Sequence, residues 1–149
     1  MGKVDTFEQF LKRQKAGKGA IDVNKRRDVW VDEVTALVAT LRSWLTIYEQ
    51  KGLLSMNKTG KVQVTEQSLG VYKADFLNVT IGESNVLVIP RPALSPGFLG
   101  RLEMRSDKGQ VTLELVGQGE WRFVRRAPMG PEYSKLTKDS FIEEVQALA

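Results

Sequence analysis

Four arginines in the C-terminal half form two pairs, Arg101/Arg105 and Arg122/Arg126, each at an even spacing, and even spacing on an extended chain turns side chains to one side. Guanidinium groups gathered on one face of a sheet bind anions, so the chemistry offered is recognition of phosphate or carboxylate groups. Thr112 falls among them. The same alternation places Glu103 and Glu114 in the patch, with Glu114 opposite Arg122. Mixed signs across neighbouring strands are the ordinary pattern of a solvated sheet face. No aromatic side chain for stacking joins the four arginines, so a solvated face is the preferred expectation.

Two other groups of residues invite the same question. Residues 1–27 hold eight basic and three acidic side chains, while the rest of the chain is balanced to within one charge, so the net +4 belongs to this segment. Its cations Lys12, Arg13, Lys15, Lys18, Lys25, Arg26 and Arg27 are candidates for gripping nucleic acid or another anionic surface, although charge runs at helix ends are commonly just solvated. Segment 90–98 carries three of the five prolines together with Arg91, Leu94 and Phe98. A loop stiffened this way can be bound at lower entropic cost, which makes those three residues the candidate partner-binding loop. The alternative is that Leu94 and Phe98 tuck into the edge of the core.

Catalytic options are narrow. The 149 residues include neither cysteine nor histidine. That closes disulfides, thiolate chemistry, imidazole bases and every metal site built on Cys or His. Carboxylates, Lys, Tyr, Ser, Thr and Arg remain. The acidic pairs Asp32/Glu33 and Glu143/Glu144 are adjacent on helical segments and do not converge on one point. Gly117-Gln118-Gly119 precedes a strand rather than a helix, so it is not a dinucleotide fingerprint, and neither a phosphate loop nor a nucleophile elbow is present. No cofactor and no metal is expected.

These residues need elements to position them. The dominant one runs from Asp22 to Gly52, where Trp30, Val34, Leu37, Val38, Leu41, Trp44, Leu45 and Tyr48 fall within an arc of roughly 120° at helical pitch. Asp22 or Asn24 is the expected N-cap and Gly52 the stop. A short helix over 6–16, begun by Asp5 and Glu8, would present Phe7, Phe10 and Leu11 on one side. Beyond the polar break at 57–60 the period falls to two. Strands are expected at 61–66, 73–81, 85–89, 99–106, 110–116 and 120–126, with 85–89 covered on both faces because it is continuously apolar.

Matching apolar sides sets loop parity. An even loop near Asp107 pairs Met104 with Leu113 and Leu102 with Leu115. An odd loop at 117–119 pairs Leu115 with Trp121, Leu113 with Phe123 and Glu114 with Arg122. A connector over 127–133 leads to a last helix, capped by Ser140 with Glu143, whose inner side is Phe141, Ile142, Val145 and Leu148.

The expected fold is α+β: an antiparallel sheet of five to six strands packed against one long helix from the N-terminal half, with short helices at both termini. It forms one domain over 1–149, helical over 1–56, sheet over 57–127, then connector and helix over 128–149. No apolar run approaches a membrane span and no secretory leader is read at the start, so the cytoplasm is the expected compartment. The leading functional expectation is a non-catalytic interaction module that binds a protein partner or pairs as a homodimer. The alternatives are a nucleic-acid-binding protein using the basic N-terminal segment and an enzyme running on carboxylate and lysine chemistry.

Overall fold

The computed structural model describes residues 7–8, 20–58, 60–66, 69–92 and 100–149, with the backbone alone for 20–24. Helix α1 spans Ala20–Gln50, so it runs straight through Asp22 and Asn24, and neither is its cap. Its end is as expected. Gly52 adopts φ +72°, its N–H reaches the Glu49 carbonyl and the Leu53 N–H reaches that of Tyr48, which is a Schellman closure. Trp30, Val34, Leu37, Val38, Leu41 and Leu45 are buried along its inner side, with Trp44 and Tyr48 packed half-buried beside them. Of the expected first helix, Phe7 and Glu8 are helical, and Phe7 lies exposed rather than in a core; Phe10 and Leu11 lie outside the described residues.

Among the described residues nine strands follow: β1 (Ser55–Met56), β2 (Lys61–Glu66), β3 (Gly70–Asp75), β4 (Leu77–Ile81), β5 (Ser84–Arg91), β6 (Arg101–Ser106), β7 (Gly109–Gly117), β8 (Glu120–Ala127) and β9 (Gly130–Lys135), before helix α2 (Lys138–Leu148). Seven form one antiparallel sheet in the order β1-β4-β5-β6-β7-β8-β9, and β2 with β3 forms a separate hairpin. The fold is α+β, as expected, with more strands. No helix of the described residues is long and apolar enough to cross a membrane.

Three departures raise the strand count. The expected strand 73–81 is two strands of different sheets. Tyr72 and Ala74 are buried at even positions, Leu77 and Val79 at odd ones. One extended strand cannot change the face it buries, so the chain kinks at Phe76 and changes sheet. Asn57 holds the kink: its side chain donates to the Phe76 carbonyl (3.3 Å) and accepts from the Asn78 N–H (2.8 Å). The short β1 was hidden in the expected helical part. The expected connector 127–133 instead turns through Pro128-Met129 and builds β9 against β8, with Ala127 opposite Gly130 and Arg122 opposite Lys135.

Register supplies further corrections. The second hairpin is as expected, with Leu113 opposite Phe123 and Leu115 opposite Trp121. In the first, the parity holds, but Leu102 faces Leu113 and Met104 faces Val111, two residues from expectation. Parity decides the face, not the loop length, and Asp107-Lys108 make a tighter loop than the one assumed. β5 is not covered on both faces: Val86 and Val88 are buried, while Leu87 and Ile89 are half-exposed on the outward side. α2 is capped one turn earlier than expected, by Thr137, with Ser140 in the return position of the box.

The inner face of the sheet, the hairpin and the two helices share one apolar core. Trp30 packs at 5.8 Å on Trp121 and against the bare backbone of Gly100. A polar thread crosses this core. The Trp30 indole donates to the Tyr72 hydroxyl (2.9 Å), which donates to the buried carboxylate of Glu66 (2.5 Å), tying α1 to the β2–β3 hairpin. Burial first, then the bond and charge of Glu66, hold the Tyr72 pKa well above its ordinary value.

Two outcomes follow. A Cβ at Gly100 would lie 2.3 Å from the Trp30 ring on a backbone of φ +155°. Gly100→Ala should therefore cost about 2–4 kcal/mol in urea unfolding, and an unchanged midpoint would contradict this packing. Tyr72→Phe strands the indole N–H and takes one donor from the carboxylate, and should cost about 1–3 kcal/mol at neutral pH. A raised folded pKa means the hydroxyl's contribution is complete below the unfolded value of 10.0 and is lost as pH climbs past it. The gap between wild type and Tyr72→Phe should accordingly narrow in urea titrations above that pH, and a constant gap would be inconsistent with the thread.

Candidate functional site

With helices and hairpin on the inner side, no described element covers the outward face of the sheet. Antiparallel register sorts its side chains into rows running across the strands, about 4.8 Å apart from strand to strand. One row reads Arg91, Arg101, Glu114, Arg122, Lys135 from β5 to β9. The next reads Ile89, Glu103, Thr112, Val124, Tyr133. Beyond it Leu87 faces Arg105 and Arg126 faces Pro131. In these rows six cations therefore stand with two carboxylates, Glu103 and Glu114.

The carboxylates order the arginines. Glu114 is only 8% exposed, flanked by Arg101 and Arg122, and accepts from Arg122 Nη2 at 2.8 Å. The Arg122 guanidinium also lies over the Tyr133 ring, 3.9 Å from its centroid. Glu103 stands between Arg91 and Arg105, each at 3.5 Å. Arg101 Nε donates to the Pro92 carbonyl. Arg126 and Lys135 are exposed and enter no ion pair among the described residues. The result is an array of guanidiniums, four of them held (Arg91, Arg101, Arg105 and Arg122), suited to bidentate binding of carboxylate or phosphate oxygens.

The structure thus brings Arg101, Arg105, Arg122 and Arg126 onto one face and adds Arg91, which ends β5 rather than sitting in a loop. Leu94 and Phe98 lie outside the described residues, as do Lys12, Arg13, Lys15 and Lys18. Lys25, Arg26 and Arg27 are on α1, on the other side of the sheet; Lys25 and Arg26 border a cavity of about 580 Å³ with Trp30 and Leu115. Sequence reasoning missed Tyr133 and Lys135, and with Tyr133 the aromatic ring it found wanting. The signal was present in the turn residues Pro128-Met129-Gly130, which close a hairpin as readily as they fill a connector.

A groove of about 780 Å³ runs beside the β9 edge, floored by Leu37 and Trp44 of α1 with Trp121 and Leu136, and bordered by Tyr133 and Lys135. At its far end the Glu33 carboxylate accepts from the Gly119 N–H (3.2 Å), fixing α1 to the β7–β8 turn. Among the described residues no group of three or more Asp, Glu, His or Cys side chains could hold a metal ion.

Glu114 should matter to stability despite facing outward. Glu114→Gln leaves Arg122 without its counter-charge and is expected to cost about 1–2 kcal/mol in thermal or urea unfolding. A neutral effect would mean that the row is merely solvated charge. Comparison with protein-family models, with curated proteins and with solved structures finds no match for this chain.

Proposed function

We propose that this protein is a non-catalytic interaction module that holds an acidic partner protein against the outward face of its sheet. The observation that carries this reading is the row Arg91, Arg101, Glu114, Arg122, Lys135, in which the buried carboxylate of Glu114 holds Arg122 and the Pro92 carbonyl holds Arg101. Around it the composition is that of a protein interface. Half-buried Ile89 and Val124 and half-exposed Tyr133 occupy the middle row, with arginines on both sides, and Arg and Tyr are residue types that anchor protein contacts.

A polypeptide suits this face better than a nucleic acid does. Glu103 and Glu114 interrupt the positive field where a phosphate backbone would need it continuous, and Tyr133 is the single aromatic ring in these rows. A partner with spaced carboxylates can meet the arginines and avoid the glutamates.

Panning a random peptide library on the immobilised protein tests this. Selected peptides should be enriched in Asp and Glu, and Arg105→Glu/Arg126→Glu should weaken them by about tenfold or more, the worth of roughly 1.4 kcal/mol. Selection without acidic enrichment, or an oligonucleotide that competes at equal strength, would overturn the proposal.

A further inference from the structure

Resting on that reading, we propose that β9 accepts an added strand from the acidic partner, a segment in which acidic and apolar residues alternate. Three independent features converge on this edge. The first is its backbone. The Leu136 N–H donates to the Trp121 carbonyl, which marks these opposed residues as a hydrogen-bonded pair. By the alternation of an antiparallel ladder, Ser134 and Glu132 turn their peptide groups toward β8, whereas Pro131, Tyr133 and Lys135 turn theirs outward. No described strand pairs with that side. All six residues of β9 are exposed.

The second feature is the side chains flanking the edge. Tyr133 and Lys135 stand on the outward face beside Arg122, so residues added directly opposite them meet Lys135 and the guanidinium over the Tyr133 ring, and take acidic side chains. The third is the groove. Residues between those positions on an added strand point to the inner side, over Leu37, Trp44, Trp121 and Leu136, and take apolar side chains. An acidic side, an apolar side and a regularly spaced amide backbone together describe an alternating extended polypeptide.

Proline and lysine on an edge also guard against indiscriminate pairing, and here they set its limits. Pro131 offers a carbonyl but no N–H, so full pairing is confined to Tyr133 and Lys135. A second copy is a poor occupant. Two-fold pairing about Tyr133 would bring Lys135 against Pro131 of the other copy with its Arg126 directly behind, setting two cationic faces edge to edge.

The probe is a fluorescent peptide repeating Glu-Val, compared by anisotropy with a peptide of the same composition in separate Glu and Val blocks. The alternating peptide should bind at least about tenfold tighter, since the block peptide cannot present both sides at once. Lys135→Gln removes the charge and keeps the N–H; Lys135→Pro removes both and is compatible with the ladder to β8, because that N–H faces outward. Lys135→Pro should weaken binding at least about fivefold beyond Lys135→Gln, the worth of one unmade hydrogen bond. In the wild type, amide exchange at Tyr133 and Lys135 should slow when the peptide is added, a readout that does not depend on any variant folding. Equal weakening by the two Lys135 variants, or no protection at those amides, would overturn strand addition while leaving the face intact if Arg105→Glu/Arg126→Glu still weakens the library-selected acidic peptides. Library-selected peptides indifferent to that double charge reversal would instead overturn the proposed function.

Discussion

The stripe of α1 from Trp30 to Leu45 lies buried in the same core as the inner side chains of β4 to β8, and the other elements take their places around that contact. Two tryptophans from opposite layers, Trp30 and Trp121, meet at 5.8 Å, and the backbone of Gly100 passes close enough to Trp30 to exclude any side chain. Burial of this much apolar surface is the main driving term for such a fold. It also decides what is left over. A sheet covered by helices on one side presents its other side to whatever lies outside.

Two polar intrusions show how tightly that arrangement is specified. Glu66 continues the apolar alternation of Val62 and Val64, so its carboxylate is carried inward and met by Tyr72, itself held by Trp30. Glu114 is the counterpart on the open face, buried between arginines from adjacent strands. A buried carboxylate is costly unless hydrogen-bonded, so each of these holds its neighbours in one geometry. The first ties the hairpin to α1; the second gives the outward face an ordered charge pattern rather than a cloud of mobile side chains.

How much of this was legible depends on which physical signal each element carries. The long helix and the β7–β8 pairing are written locally, in apolar spacing and in a glycine at φ +68° in the turn. The β6–β7 register was half legible, since facing sides follow from parity but a shift of two residues preserves them. The kink at Phe76 left a trace in the change of buried phase between Ala74 and Leu77, which a search for one continuous strand passes over. β9 was illegible from its own residues: all six are exposed, so no apolar alternation marks it, and it exists because β8 supplies a partner.

The sequence by itself determined the fold class and the inward side of β2, β4, β6, β7 and β8, because hydrophobic periodicity is a property of neighbours along the chain. It also closed off thiol and imidazole chemistry by containing no cysteine and no histidine. Beyond the Glu114–Arg122 pair, only the tertiary structure decided which outward residues stand side by side. Arg91, Arg101, Glu114, Arg122 and Lys135 are separated by loops and whole strands along the chain, and become a row through cross-strand register. Register is set by loop lengths, kinks and edge pairing, which are collective outcomes of packing that a local pattern does not contain.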